Sequence, residues 1–594
     1  MAAIRLRIPK QNPDFVGSVP DTQKKLIKWL DTLPLANQRE SIIQLSTMLG
    51  RMNRIPIKPE IRYQLLMKLH PMVAELTSII KKPYLNARLP LLAKMAETAE
   101  EQRKLLINMA DGFKIISVDQ LRVPVTISGY EKLTENALYK AIHYLCLIVL
   151  DHYLIYAEQP NAVWGELNQL YALAESRNIE TVEIDIAAEH EPPTITESYQ
   201  RILLLALTNP YHLMQGEVAK LYKLLAGLSC YARLINIAYE PGKTGKFVVD
   251  LAAAAPPRYS SLASNANSPV AARLINVNKL LDHMENLISQ FSHNKATISD
   301  RIEQGMLRRA TRAWGARSER LSPRNATDVN AEVLFGLRHC HQLISGETEF
   351  RPEQNEANIL KGSESDQQAD DMVLLPSEKS QLWELENKQS HGNPQKYSQQ
   401  RTSHFDSEAD PNDIWKKVYS TSARAEHYID DRMSKNSPPE YTISLGKQGT
   451  ESTGGIDLAC EPDMDITLHV GDIVGFRTPV PGAEDVWEVG SLTWLRIISD
   501  GTVYVGIKRI AADALPVACR GLVGVGEGGE YYRSLIVPGL DPAEHPTSII
   551  TPAAVYDIDS RIFINTGDKI LHVRLTQMVD TTNSYSHFRF ERLH

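Results

Sequence analysis

The hydrophobic pattern changes period along the 594 residues of the chain. From about 20 to 310, apolar positions recur at steps of three and four, the spacing of amphipathic helices. The stretch 273–291 is the cleanest case. Leu274, Val277, Leu281, Met284, Ile288 and Phe291 fall on one stripe, with Lys279, Asp282 and Glu285 off it. Comparable stripes occupy 21–52, 61–80, 91–110, 131–157, 162–176, 199–207 and 216–238, and Pro160 and Pro210 fall in the breaks. Residues 1–310 read as an α-helical interaction domain. A faint echo, Gly165-Glu166 with Leu170-Tyr171 against Gly216-Glu217 with Leu221-Tyr222, leaves a solenoid-like stacking open. FVVDL at 247–251 reads as a strand. Gly242-Lys243-Thr244 before it lacks the remainder of a phosphate-binding loop and reads as a turn.

Period two appears at DVNAEVLFG, where Val329, Ala331, Val333 and Phe335 alternate. It is lost over 345–439, a segment rich in Gln, Ser, Asn and Asp with too little apolar content to offset ordering entropy, and this reads as a disordered insert. Short strands resume at 441–443, 468–470, 473–476, 486–487, 492–498 and 502–507, with turns at Gly454-Gly455, Pro481-Gly482 and Asp500-Gly501. Their even spacing predicts a small antiparallel barrel, with Trp487, Trp494 and Tyr504 as core residues. Further strands at 535–538, 547–550, 561–564, 570–575 and 588–590 predict an accessory β-rich segment over 521–594. The fold class is thus multidomain α + β.

Composition narrows the function classes. Hydrophobic residues make up 43% and charged residues 23%, the profile of a globular protein. A net charge of −8 provides no global basic field, which argues against nucleic acid as a partner. The longest apolar run, 145–150, is far short of a membrane span. MAAIRLRIPK has no apolar core of a secretory signal, and five scattered cysteines without a CxxC spacing fit a reducing cytoplasm. His339-Cys340-His341 offers too few ligands for zinc. No catalytic pattern and no cofactor site stand out.

One local charge excess does. Between 301 and 324, seven arginines face two glutamates. Arg320-Leu-Ser-Pro-Arg324 directly precedes the DVNAEVLFG strand, and Thr450-Glu-Ser452-Thr-Gly454-Gly455 lies downstream, followed by VGDIVGFR, WEVGSLTWLR and YVGIKRI. An RxxxR pair, a [DN]xSxxG loop and this strand order together resemble the PilZ family, whose members sense cyclic di-GMP. The resemblance implies a discontinuous barrel, 316–344 with 440–520, interrupted by the insert. It implies a ligand site made of Arg320, Arg324, Thr450, Ser452, Gly454 and Gly455, and signalling through protein partners of the helical domain. Arginine suits the ligand because its planar fork pairs bidentately with phosphate or with guanine O6 and N7. Trp314, beside the arginines, reads as a packing anchor rather than a stacking partner. Thr450 stands where the family has Asp or Asn, so charge-assisted acceptance is lost there, on the order of 1–3 kcal/mol if a donor goes unpaired. The alternative is a degenerate PilZ-like adaptor that binds partners without nucleotide.

Overall fold

The computed structural model describes residues 6–12, 19–85, 87–121, 130–188, 190–236, 247–260, 271–291, 298–315, 325–326, 329–346, 352, 443–452, 454–461, 467–479, 487–522, 530–539 and 547–593. Arg320, Arg324, the Gly242-Lys243-Thr244 turn, Val486 and nearly all of the insert lie outside them. The chain divides into two compact units, Met1–Phe291 with Gly305–Ser318 and Ser292–Gln304 with Glu319–His594.

The first unit is built from α1 (Gln23–Leu30), α2 (Gln38–Met52), α3 (Pro59–Ile80), α4 (Lys82–Leu85), α5 (Ala93–Leu121), α6 (Tyr130–Leu154), α7 (Asn161–Ser176), α8 (Ile195–Leu207) and α9 (Glu217–Leu228). The starts of α1, α2 and α8 are capped by side chains: the Thr194 hydroxyl, for one, accepts from the N–H of Glu197 at the head of α8, satisfying a donor with no partner inside the helix. The echo noted above does not mark a repeat. Gly165 lies inside α7, whereas Gly216 is the residue capping α9.

The helical reading of 1–310 needs one correction. A four-stranded antiparallel sheet interrupts it, formed by β1 (Arg233–Asn236), β2 (Phe247–Asp250), β3 (Arg258–Tyr259) and β4 (Ala272–Asn276) in the order β1-β4-β2-β3. Leu274 therefore belongs to a strand, and α10 begins only at Asn278 (Asn278–Phe291). The cause is pairing. Leu234 and Val248 both align with residues of β4, which buries Ile235, Val248 and Leu274 in one cluster. The last helix of this region is α11 (Ile298–Gly315), on which Trp314 is wholly buried and donates its indole N–H to the Leu204 carbonyl at 3.0 Å. Trp314 is a packing anchor.

Among the described residues, the second unit holds two closed antiparallel barrels. Its elements are β5 (Asn325–Ala326), β6 (Asn330–Phe335), α12 (Leu337–Ile344), β7 (Ser444–Ser452), β8 (Gly455–Cys460), β9 (Ile473–Arg477), β10 (Glu488–Ile497), β11 (Val503–Ala511), β12 (Leu515–Gly521), β13 (Tyr532–Val537), β14 (Ser548–Pro552), β15 (Arg561–Asn565), β16 (Ile570–Thr581) and β17 (Tyr585–Arg592). In the first barrel β7, β6, β9, β10, β11 and β8 follow one another around the wall, and β8 returns to pair with β7. β5 continues the line of β6 along the same edge of β7, the N–H of Gln448 bonding the Val329 carbonyl between them. Inward positions alternate with outward ones, so Ile456, Leu458 and Cys460 and, opposite them, Val503, Val505 and Ile507 fill the interior. Leu468, read as the start of a strand, makes only an isolated bridge. The second barrel runs β12-β13-β14-β17-β16-β15. It opens with β12 at Leu515, ahead of the boundary read at 521.

α12 sits where the two barrels meet. Leu337 and Cys340 pack with Ile473 and Val489 of the first barrel and with Leu535, Val537, Ile550 and Tyr585 of the second. The Nε2–H of His341 donates to the Val517 carbonyl at 3.1 Å. Opposite it, the Thr582 hydroxyl donates to the Gly471 carbonyl at 2.9 Å, and Asp472 accepts from Ser584 and from the N–H of His469. His339-Cys340-His341 thus lies within a packed helix, its side chains pointing in different directions, and no group of three or more metal-ligating side chains occurs among the described residues.

These burials make stability depend on pH. Loss of hydration pushes His341 and His587 in this unit down to about 4, and His70 and His212 in the first unit likewise. Between the ordinary value near 6.5 and about 4 the unfolded chain binds protons that the folded chain refuses, so stability falls as pH falls through that window. His469 acts oppositely. Desolvation is the largest influence on it, yet the Asp472 carboxylate raises it, so its contribution is complete below pH 6.5 and fades only above. His143 and His152 in the first unit are lowered by burial as well, so among the histidines six lowered groups outweigh one raised group. Denaturant midpoints are expected to be lower at pH 5 than at pH 7, with an unchanged midpoint counting against buried neutral histidines.

Candidate functional site

The hairpin joining β7 to β8 brings the loop motif together. Thr450 pairs with Asp457, Glu451 with Ile456 and Ser452 with Gly455. The motif was expected between two strands, but Thr450 and Ser452 belong to β7 itself and only the turn, with Gly454, lies outside the ladder. Gly455 has φ +153°, and a Cβ there would stand 2.0 Å from the Ile507 carbonyl oxygen of β11. Only glycine lets β8 approach β11 so closely. The Ser452 hydroxyl donates to the Gly455 carbonyl at 3.3 Å, tying the ends of the turn.

On the other edge of β7, β5 lies alongside the same residues, Asn325 opposite Glu451 and Ala326 opposite Thr450. The segment carrying Arg320 and Arg324 leads directly into that pairing. Those two arginines lie outside the described residues.

Inside the barrel mouth, Arg509 of β11 holds the hairpin from beneath. It is 8% exposed. Its guanidinium donates to Glu488 through Nε, reaches Glu451 at 3.5 Å and donates to the Ser452 carbonyl at 3.3 Å, while its own N–H bonds the Gly454 carbonyl at 3.0 Å. Gln448 joins from β7, donating to Glu451 at 3.0 Å. This polar plug was not legible in the sequence, where Arg509 reads as one more strand residue.

The outer face carries a second set. Thr450, Asp457, Gly506 and Trp494 are successive register partners across β7, β8, β11 and β10. The Thr450 hydroxyl donates to Asp457 Oδ2 at 2.8 Å. A Cβ on Gly506 would lie 1.8 Å from Trp494 Nε1, so the indole covers the bare backbone of that glycine. Trp487, Trp494 and Tyr504, expected in the core, are each half-buried on the outside instead. A bulge between Leu492 and Trp494 shifts the alternation of β10 by one place and turns the indole outward. Arg477 lies over the Trp487 ring at 4.8 Å and Arg496 over Tyr504 at 5.5 Å. Lys508, partner of Gly455, is exposed beside them.

A helical region, a barrel bearing this hairpin and a second closed barrel define a class, and comparison with known families agrees with it in order and extent. The description "Cyclic-di-GMP receptor FimW, N-terminal domain" matches 24–238, "middle PilZ domain" of the same receptor 246–516, and "FimW C-terminal beta-barrel domain" 517–593. Residues 246–516 are thus a PilZ domain, set between the two other domains of this three-domain form. A curated relative, "Cyclic-di-GMP receptor FimW" of Pseudomonas aeruginosa, is 24% identical over 602 residues, covering 99% of this chain and 93% of the relative. No solved structure matches the chain.

Proposed function

We propose that this chain is a cyclic di-GMP receptor. The dinucleotide binds on the outer face of the first barrel, between the Arg320–Arg324 segment and a barrel side formed by Thr450, Ser452, Gly454 and Gly455. The pairing of β5 carries the reading. Asn325, the residue after Arg324, is the register partner of Glu451, and successive Cα atoms are about 3.8 Å apart. The chain thus enters β5 beside the Ser452 end of the hairpin. Two guanidinium forks suit two phosphodiesters and the guanine edges, and the family match together with the name of the Pseudomonas relative supports that ligand.

The chain acts by binding rather than by catalysis, and protein partners on the helical domain read the liganded state. Five free cysteines, four of them buried, favour a reducing cytoplasm. No helix among the described residues is long and apolar enough to cross a membrane. Calorimetric titration of the full chain with cyclic di-GMP is expected to give micromolar binding, weakened roughly 10- to 100-fold by Arg324→Ala and by Ser452→Ala. Absence of heat from folded wild-type protein would leave the adaptor reading in its place.

A further inference from the structure

The first unit carries a groove that its own core leaves unfilled. On α2, Ile42, Leu45, Leu49 and Met52 face inward and are completely buried. Ile43, Thr47 and Arg51 follow one another at steps of four along the outer side of the same helix, and all three are exposed. On α1, Leu26 is buried, while Trp29 is only half-buried. Trp29 and the outer stripe of α2, together with the buried Val19 and Met48, line a groove of about 230 Å³ that lies wholly within the first unit. A single exposed apolar side chain is ordinary on a protein surface. Here an indole, an isoleucine and a methionine meet at a concavity, and its volume suits one large apolar side chain entering from outside.

The two helices that form the groove are positive, on a chain whose net charge is −8. Between Val19 and Ile55, six cations stand against three acids. Lys25 is taken by Asp21 at 2.7 Å and Arg39 by Glu97 and Glu101 of α5, while Glu40 accepts from Gln44 at 2.7 Å. Arg54 turns back onto the Gly50 carbonyl. Lys24, Lys28 and Arg51 are left, exposed and in no ion pair among the described residues, against Asp31. Such a surface attracts carboxylates and repels a basic segment, which fixes orientation and partner choice more than raw affinity. A basic amphipathic helix such as α1 also suits a lipid surface. Leu26 and Leu33 are committed to the core, however, and a flat bilayer does not fill a concavity.

We propose that the groove between α1 and α2 docks an acidic amphipathic helix of a partner protein. One large apolar side chain enters between Trp29 and Ile43, and flanking carboxylates meet Arg51 and Lys28. A groove walled by helices receives a helix in this way, whereas an extended strand needs a sheet edge to pair with. The proposal rests on the reading above only in giving the helical domain a protein partner.

The test pans the full chain against a display library of random peptides. Wild type is expected to select sequences that combine a large apolar residue with Asp or Glu at helical spacing. Affinity for a selected peptide should fall roughly tenfold or more in Ile43→Asp, which puts a charge where the apolar anchor lands. Arg51→Glu should weaken the same peptide severalfold and strengthen a version with lysine in place of its acids. Both positions are exposed, and a cooperative melt confirms that each variant folds. Should Ile43→Asp fail to melt cooperatively, Thr47→Glu replaces it with the same expectation. No selected peptide, or peptides indifferent to these substitutions, overturns the assignment. Loss of binding to phosphatidylglycerol vesicles, or loss of a concentration-dependent dimer, in variants that bind peptide as wild type does also overturns it, because the face then serves a membrane or a second copy. Titration with cyclic di-GMP is expected to be unchanged in these variants, and its result in wild type decides the receptor reading separately.

Discussion

Gly455→Ala is expected to destabilise the second unit by about 3 kcal/mol or more and to abolish nucleotide binding. The added methyl would stand 2.0 Å from a carbonyl oxygen of β11, and its neighbours at 3.1 and 3.2 Å are backbone as well. No side chain can move aside, so β8 must peel from β11 or the hairpin must change its φ, either of which costs about that much. The two strands share six register pairs from Val503–Cys460 to Lys508–Gly455, and the displacement starts at the end that carries the proposed site. Chemical denaturation of Gly455→Ala beside Gly454→Ala checks the argument, because a Cβ on Gly454 meets only the Ser452 hydroxyl at 3.9 Å. Equal effects of the two substitutions would remove the steric explanation.

The second large effect belongs to Arg509. Its side chain and that of Glu488 are 10% and 13% exposed, so truncating the arginine leaves a nearly buried carboxylate without its cation. Such a loss costs about 3 kcal/mol. Arg509→Met is expected to lower stability by that amount and to weaken ligand binding as well, since the Ser452 carbonyl loses its brace. The double substitution Arg509→Met with Glu488→Leu should recover most of the stability, because an apolar pair of similar volume asks for no charge compensation. It should not recover binding, because the hairpin remains unbraced. A double variant as unstable as the single would mean that the arginine acts through packing on Phe476, over whose ring it also lies at 5.7 Å.

Much of this architecture could be read from period and turn chemistry, and the misses share a physical cause. The barrel strands alternate cleanly where both faces differ in polarity, as in the β6 stretch with buried Ala331, Val333 and Phe335. Trp494 was placed in the core because a strand normally keeps its alternation, and a bulge is invisible to period counting. Leu274 was placed in a helix because a short strand directly ahead of a helix extends its apolar stripe. A different signal was available there. Ala-Arg-Leu-Ile-Asn occurs at 232–236 and again at 272–276, and the two copies pair antiparallel. The hairpin glycines were legible because turn geometry demands particular residue types, and Ser452 was singled out only by the resemblance to the PilZ motif. The part played by Arg509 was not legible, since it arises only when β7, β8, β10 and β11 lie side by side.

The return of β8 to β7 also sets an order of events during folding. The second barrel draws all its strands from Leu515–Arg592, each paired with partners close in sequence or across one short barrel. The first barrel cannot close until β7 reaches β6, where Asn330 pairs with Lys447, more than a hundred residues away. For a flexible chain the length-dependent part of that closure entropy is about 4 kcal/mol, and contacts so distant form slowly. The wall that carries the β7–β8 hairpin is therefore expected to be the last part of the unit to assemble. Newly made chains would pass through a stage with a finished C-terminal barrel and the edges of β6 and β7 still unpaired, open to neighbours.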